Sequence, residues 1–156
     1  DVTAIDGPEG VAKKVVFESI RKNKHVVTAN KSLISKHGDA LSILAEKHGV
    51  NLLFEAAVGG GIPIIRSIKQ GLIANRLSHI YGILNGTTNF ILTEMEKRNE
   101  SFQTILKDAQ KLGYAESNPT ADVDGFDAAD KISILSSIGF GSKIINKGFF
   151  PIQFNC

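Results

Sequence analysis

Asp127 and Lys131 stand four residues apart near the start of a helical stretch, a spacing that sets both side chains on one helix face. They close an acid-rich run, AQKLGYAESNPTADVDGFDAADK (109–131), which gathers Glu116, Asp122, Asp124, Asp127, Asp130 and Lys131 around Gly113, Pro119 and Gly125. The helix side of Lys131 also carries Ala128, Leu135 and Ile138. An amine on a mostly apolar face beside one carboxylate is placed to give and take a proton. The same pair would also serve as an ordinary surface ion pair.

Other residues offer weaker chemistry. Gly59-Gly60-Gly61-Ile62-Pro63 lacks the Gly-Lys-Ser/Thr of a phosphate loop and the third glycine of a dinucleotide fingerprint. It reads either as a tight turn or as backbone brought close to a ligand or ion. Lys31 follows the segment HVVTAN, at a strand end where α/β folds bind ligands, or simply in solvent. Asn85-Gly86-Thr87-Thr88 can cap a helix, or present free N–H groups to a carboxylate. Aspartates 122, 124, 127 and 130 do not make a calcium loop, because its sixth position would be Asp127 and its twelfth Ser133. His25, His37, His48 and His79 have no paired metal-ligand spacing.

The elements that must position these groups alternate. Helices are expected over 11–23, 35–48, 62–71, 85–95, 102–112 and 127–138. Strands are expected over 25–29, 51–57 and 76–84, the last with Leu77, His79, Tyr81 and Ile83 on its buried face. That order predicts an α/β (α+β) fold, a mixed sheet with helices packed on it. The 156 residues, 42% of them hydrophobic, suit one domain or a domain with part of another. A net charge of +2 with scattered signs gives no support to nucleic-acid or anionic-membrane binding. No apolar run approaches the ~20 residues of a membrane span. The single cysteine, Cys156, excludes an internal disulfide, and no signal-peptide layout opens the sequence. A cytoplasmic protein is expected, in which the Asn-x-Ser/Thr matches at Asn30, Asn85 and Asn99 are chance.

The run A-x3-G-Y-A-x2-N-P-x2-D-V-x-G-x-D-x3-K, from Ala109 to Lys131, resembles the signature of the homoserine dehydrogenases. HVVTANK (25–31), EAAVGGGIP (55–63), GILNGTTNFIL (82–92) and KISILSSIGFGSK (131–143) resemble the same family in the same order. The resemblance covers roughly residues 20–143. It implies NADH- or NADPH-dependent interconversion of L-aspartate 4-semialdehyde and L-homoserine, in the route to threonine and methionine. By resemblance Lys131 is the acid/base residue, with Asp127 beside it. Asp122 and Glu116 fall on substrate positions, Glu116 against the substrate ammonium. Lys31 matches the lysine shared by cofactor and substrate, Gly86 and Thr87 the substrate loop, and Thr3 a cofactor contact. The glycine turn matches a monovalent-cation site, usually sodium, built from carbonyls at Glu55, Val58, Gly60 and Ile62. The family is a homodimer through its central sheet.

Two departures set further expectations. The G-x-G-x-x-G half of a nucleotide domain is absent, and the tail IINKGFFPIQFNC does not continue like the family. The expectation is a truncated chain. Residues 1–33 would be the remnant of a Rossmann-type nucleotide-binding domain, 34–143 the catalytic, substrate-binding and dimerisation domain, and 144–156 a divergent tail. An inactive dimerisation module is the alternative. A phosphorylating semialdehyde dehydrogenase needs a thiolate, and Cys156 is the last residue.

Overall fold

The computed structural model describes residues 4–143. They divide into two compact units, one of residues 4–80 with 130–143, the other of residues 81–129.

The first unit is built on a parallel β–α–β crossover. After a 3-10 turn at Ala4–Glu9, helix α1 (Val11–Arg21) buries Ala12, Val16 and Ile20, one residue per turn, and packs against α2. Strand β1 (Val26–Val27) pairs in parallel with β2 (Leu52–Leu53), Val26 opposite Leu52 and Val27 opposite Leu53. Helix α2 (Lys31–Lys47) joins them and buries Leu33, Ile34, Leu41 and Ala45. Both helices end in the same way. Asn23 (φ 55°) and Gly49 (φ 64°) take the left-handed conformation, and the next N–H reaches back, Lys24 to Ser19 O and Val50 to Ala45 O, each at 3.0 Å. That closure satisfies carbonyls the helix leaves open.

The α/β class holds, and among the described residues its sheet is small and parallel. The strands are shorter than expected. HVVTA contributes two ladder residues, and Val27 is 70% exposed. The 51–57 strand stops at Leu53, because residues Glu55–Ala57 form a 3-10 turn. From that turn the Glu55 carboxylate accepts the N–H groups of Ile65 and Arg66, each at 2.9 Å. These are orphan donors at the start of helix α3 (Ile64–Arg66), which widens into a π turn at Ser67–Gly71. Residues 76–84 form no strand. An alternating pattern supplies a face but not the neighbouring backbone that a strand must bond. Tyr81 (93% exposed) and Ile83 (77%) are the reverse of the expected buried face. Leu77 and Ile80 instead lie against Gly139, where an added methyl would stand 2.8 Å from Ile80 Cδ1.

The second unit is a helical hairpin with an acidic loop. Helices α4 (Gly86–Arg98) and α5 (Phe102–Lys111) close on Ile91, Ile105, Ala109 and Ala115, flanked by Phe90, Met95, Phe102 and Leu106. Ser101 caps α5, and Gly113 (φ 79°) ends it with Tyr114 N–H on Ala109 O at 2.9 Å. Arg98 spans the hairpin turn to Glu100 (2.7 Å) and Asp108 (3.0 Å). A short helix α6 (Thr120–Val123) then leads to α7 (Phe126–Phe140), whose first turn lies in this unit and whose remainder lies in the first. Helix α2 begins at Lys31 rather than at Ser35, because Asn30 supplies its cap. Among the described residues no helix is long and apolar enough to cross a membrane.

Candidate active site

Asn85 is the hub of the second unit. Its side-chain oxygen accepts Thr88 N–H at 2.7 Å, the standard capping bond that starts α4. Its amide nitrogen donates one proton to Asp122 Oδ1 at 2.7 Å and the other to Asp127 Oδ2 at 2.9 Å. One neutral side chain thus holds two carboxylates, from α6 and from the first turn of α7, at fixed separation. Asn85 and Asp127 are both buried, so the charge-assisted bond between them is shielded from water, while that to Asp122 is part-buried. Thr88 Oγ1 adds a 3.3 Å bond to Asp122 O, and Thr87 Oγ1 donates to Tyr114 O at 2.8 Å. Tyr114 stacks on Phe90 with ring centroids 4.6 Å apart.

The expected substrate residues Asp122, Asp127, Gly86 and Thr87 therefore meet around Asn85. Gly86 is the exposed first residue of α4, where helix N–H groups point outward. Glu116 is exposed on the acidic loop, which Gln110 Nε2 fastens by its 3.0 Å bond to Glu116 O. Lys131 is half-buried one turn along α7 from Asp127.

Lys31 belongs to the first unit, as the half-buried first residue of α2. Beside it Asn30 Oδ1 accepts Leu33 N–H at 3.0 Å, and Asn30 N–H donates to Thr28 Oγ1 at 3.1 Å. Asn30 Nδ2 is buried with no hydrogen-bond partner among the described residues. Also in this unit, Asp130 accepts hydrogen bonds from Ser32 Oγ (3.2 Å) and Ser35 Oγ.

Glu55, Val58, Gly60 and Ile62 lie along one loop in which Gly59 (φ 60°) and Gly61 (φ 85°) are left-handed. Ile62 N–H closes on Gly59 O at 2.7 Å. Thr3 lies outside the described residues, as does the tail from residue 144. Sequence reasoning missed the roles of Asn85 and Asp130 as connectors. Asn85 had a visible signal as a cap, but its acidic partners lie 37 and 42 residues away. Asp130 had none.

Residues 63–149 match the family described as homoserine dehydrogenase, and residues 6–55 the family described as its NAD binding domain. The homoserine dehydrogenase of Neisseria gonorrhoeae is 50% identical over 92% of this chain, and that of Synechocystis 53% identical over 85%. The crystal structure of the Thiobacillus denitrificans homoserine dehydrogenase superposes with a TM-score of 0.88 at 50% identity, covering 90% of this chain and 32% of that one. A hyperthermophilic archaeal homoserine dehydrogenase in complex with NADPH gives 0.80 at 31% identity, covering 84% of this chain and 41% of its own. The chain spans about a third of the length of the curated relatives, 33% and 31% of the two named here. On these matches the chain belongs to the homoserine dehydrogenase family.

Proposed function

We propose that the chain carries the substrate-binding and proton-transfer part of a homoserine dehydrogenase. The reaction is the interconversion of L-aspartate 4-semialdehyde and L-homoserine, in threonine and methionine biosynthesis. The observation that carries this reading is the Asn85 clamp, which sets Asp122 and Asp127 together at the head of the helix that bears Lys131. When bound, the nicotinamide cofactor supplies the hydride that reduces the aldehyde carbon. Lys131 delivers a proton to the aldehyde oxygen and stabilises the negative charge growing there. Asp127, four residues before it in the sequence, is the acid proposed to act with it. Glu116 presents an exposed carboxylate to the substrate ammonium, and Asp122, Gly86 and Thr87 line the rest of the substrate loop. Lys31 serves substrate and cofactor together.

The junction of β1 and α2 fits NAD or NADP. Thr28 and Asn30 are buried there, and a polar ligand would complete the hydrogen bonding of Asn30 Nδ2. Lys31 would hold the cofactor on this chain, with Thr3 as a second contact. The glycine loop suits a monovalent cation such as sodium. Its donors would be backbone carbonyls of Glu55, Val58, Gly60 and Ile62, hard oxygens that match a hard cation. The Glu55 carboxylate is already engaged by the amides of α3, so Glu55 would contribute through its backbone.

The protein is proposed to act in the cytoplasm as a homodimer, with its nucleotide-binding part preceding its catalytic part along the chain. Tyr81 and Ile83 favour a second copy as partner, because they are exposed large side chains in an alternating stretch with no sheet neighbour among the described residues. Oxidation of NADPH on addition of aspartate 4-semialdehyde, measured beside the size of the particle, tests the whole reading. A dimer without turnover would favour the second reading, a dimerisation module. Absence of both would remove the proposal.

A further inference from the structure

Helices α2 and α7 each contribute a lysine to the proposed site, and a position neighbouring each lysine makes the link between them. Asp130 precedes Lys131, and Ser32 follows Lys31. Ser32 Oγ donates to Asp130 Oδ2 at 3.2 Å, while Ser35 Oγ donates to Oδ1. Ser32 and Ser35 are three residues apart, so they stand on one face of the first turn of α2. One carboxylate oxygen answers each hydroxyl. A two-point attachment resists both rotation and sliding of one helix on the other, where a single bond would resist neither. Ser35 is buried, and a hydroxyl there is costly unless it is bonded. Bonds to an ionised acceptor are about twice as strong as neutral ones, and a carboxylate is further favoured at the positive end of α2.

We propose that Asp130 is a positioning residue, whose carboxylate, bonded by Ser32 and Ser35, locks the first turn of α2 to α7 and so fixes Lys31 relative to Lys131. The role rests on the function proposed above. It does not involve contact between Asp130 and substrate. Proton transfer depends on sub-ångström placement, so loosening this lock should lower turnover more than substrate affinity.

The test uses the full chain with Asp130→Ala, Asp130→Asn, Ser35→Ala and the double variant Ser35→Ala/Asp130→Ala. The expected result is a fall in kcat of about tenfold or more for Asp130→Ala, with KM for the aldehyde changed less than about threefold. Asp130→Asn, which keeps one acceptor, should recover part of the loss. The double variant should be no worse than Asp130→Ala alone, because both changes break one link. A lowered melting temperature with unchanged kcat would overturn the proposal and leave Asp130 a stabilising residue only. Lys131→Ala serves as the control: if it keeps full turnover, the underlying assignment of the site has failed instead. Hydrogen exchange reads the lock without turnover. Amides of residues 33–36 should exchange about tenfold faster in Asp130→Ala while those of α1 do not change. Unchanged exchange overturns the proposal even if no turnover is seen. Where Asp130→Ala does not fold, Ser35→Ala is read by the same criteria.

Discussion

Asn85 donates the same amide group to Asp127 at 2.9 Å that it offers to Asp122 at 2.7 Å, so a helix cap doubles as the spacer between two carboxylates. Replacing Asn85 by alanine removes the cap and takes one hydrogen-bond donor away from each of the two acids. Loss of a buried partner and a cap should cost about 1–3 kcal/mol of stability. Asn85→Asp keeps the cap oxygen but brings a third negative charge, so it should be the more damaging change. Thermal unfolding of both variants checks the order. An Asn85→Asp protein as stable as the original would contradict the clamp.

Lys131→Ala should reduce kcat by about two to four orders of magnitude, the range for a lost general acid, while folding is retained. Lys131→Arg keeps the charge but not the compact, readily released proton, and should recover little of the rate. Steady-state kinetics in both reaction directions, with circular dichroism as the folding control, would read this.

Glu9 holds the amino-terminal 3-10 turn to α2 and α1 through Lys36 (2.9 Å), His37 (2.9 Å) and Lys13 (2.6 Å). Hydrogen bonds from Lys13, Lys36 and His37 pull its carboxyl down to about 2 from its ordinary 4.5. A group held lower in the folded state than in the unfolded one binds protons more readily when unfolded. Its stabilisation is therefore complete above pH 4.5 and is lost as pH falls towards 2. Glu9→Gln should show a smaller drop in melting temperature between neutral pH and acid than the original chain. The contribution is modest because the group is exposed and screened. Equal drops would mean the cluster does not persist in solution.

Gly113 ends α5 in the left-handed conformation at φ 79°, and a methyl there would touch nothing within 4 Å. The cost of Gly113→Ala is thus backbone strain alone, about 1–2 kcal/mol. Ile105→Ala in the same helix empties a fully buried position and should cost about 2–5 kcal/mol. Denaturant unfolding of the two variants should rank them in that order. The reverse order would place the weakness of the hairpin at its turn and not in its core.

Much of this architecture was readable before any coordinates. The stop at Gly49, the cap at Asn85 and the close at Gly113 are local statements, and helices form there, although α2 begins a turn earlier than expected. Asp122, Asp127, Gly86 and Thr87 were singled out by motif, and the structure gathers them around one residue. The strands were read less well. Residues 76–84 alternate as a strand does, yet Tyr81 and Ile83 face solvent. Residues Glu55–Ala57 leave the sheet in a 3-10 turn from which the Glu55 carboxylate reaches the amides of α3.

A helix closes its hydrogen bonds within four residues, and a cap within three, so sequence alone placed α1, α2, α4, α5 and α7 to within about a turn at their ends and set which residue types they present. A strand, a clamp or a lock takes its partner from anywhere in the chain. Only the tertiary structure decided that Asn85 would hold Asp127 across 42 residues and Ser35 would bond Asp130 across 95. Such bonds form where packing brings the donor and acceptor together out of water, and no spacing in the sequence records that distance.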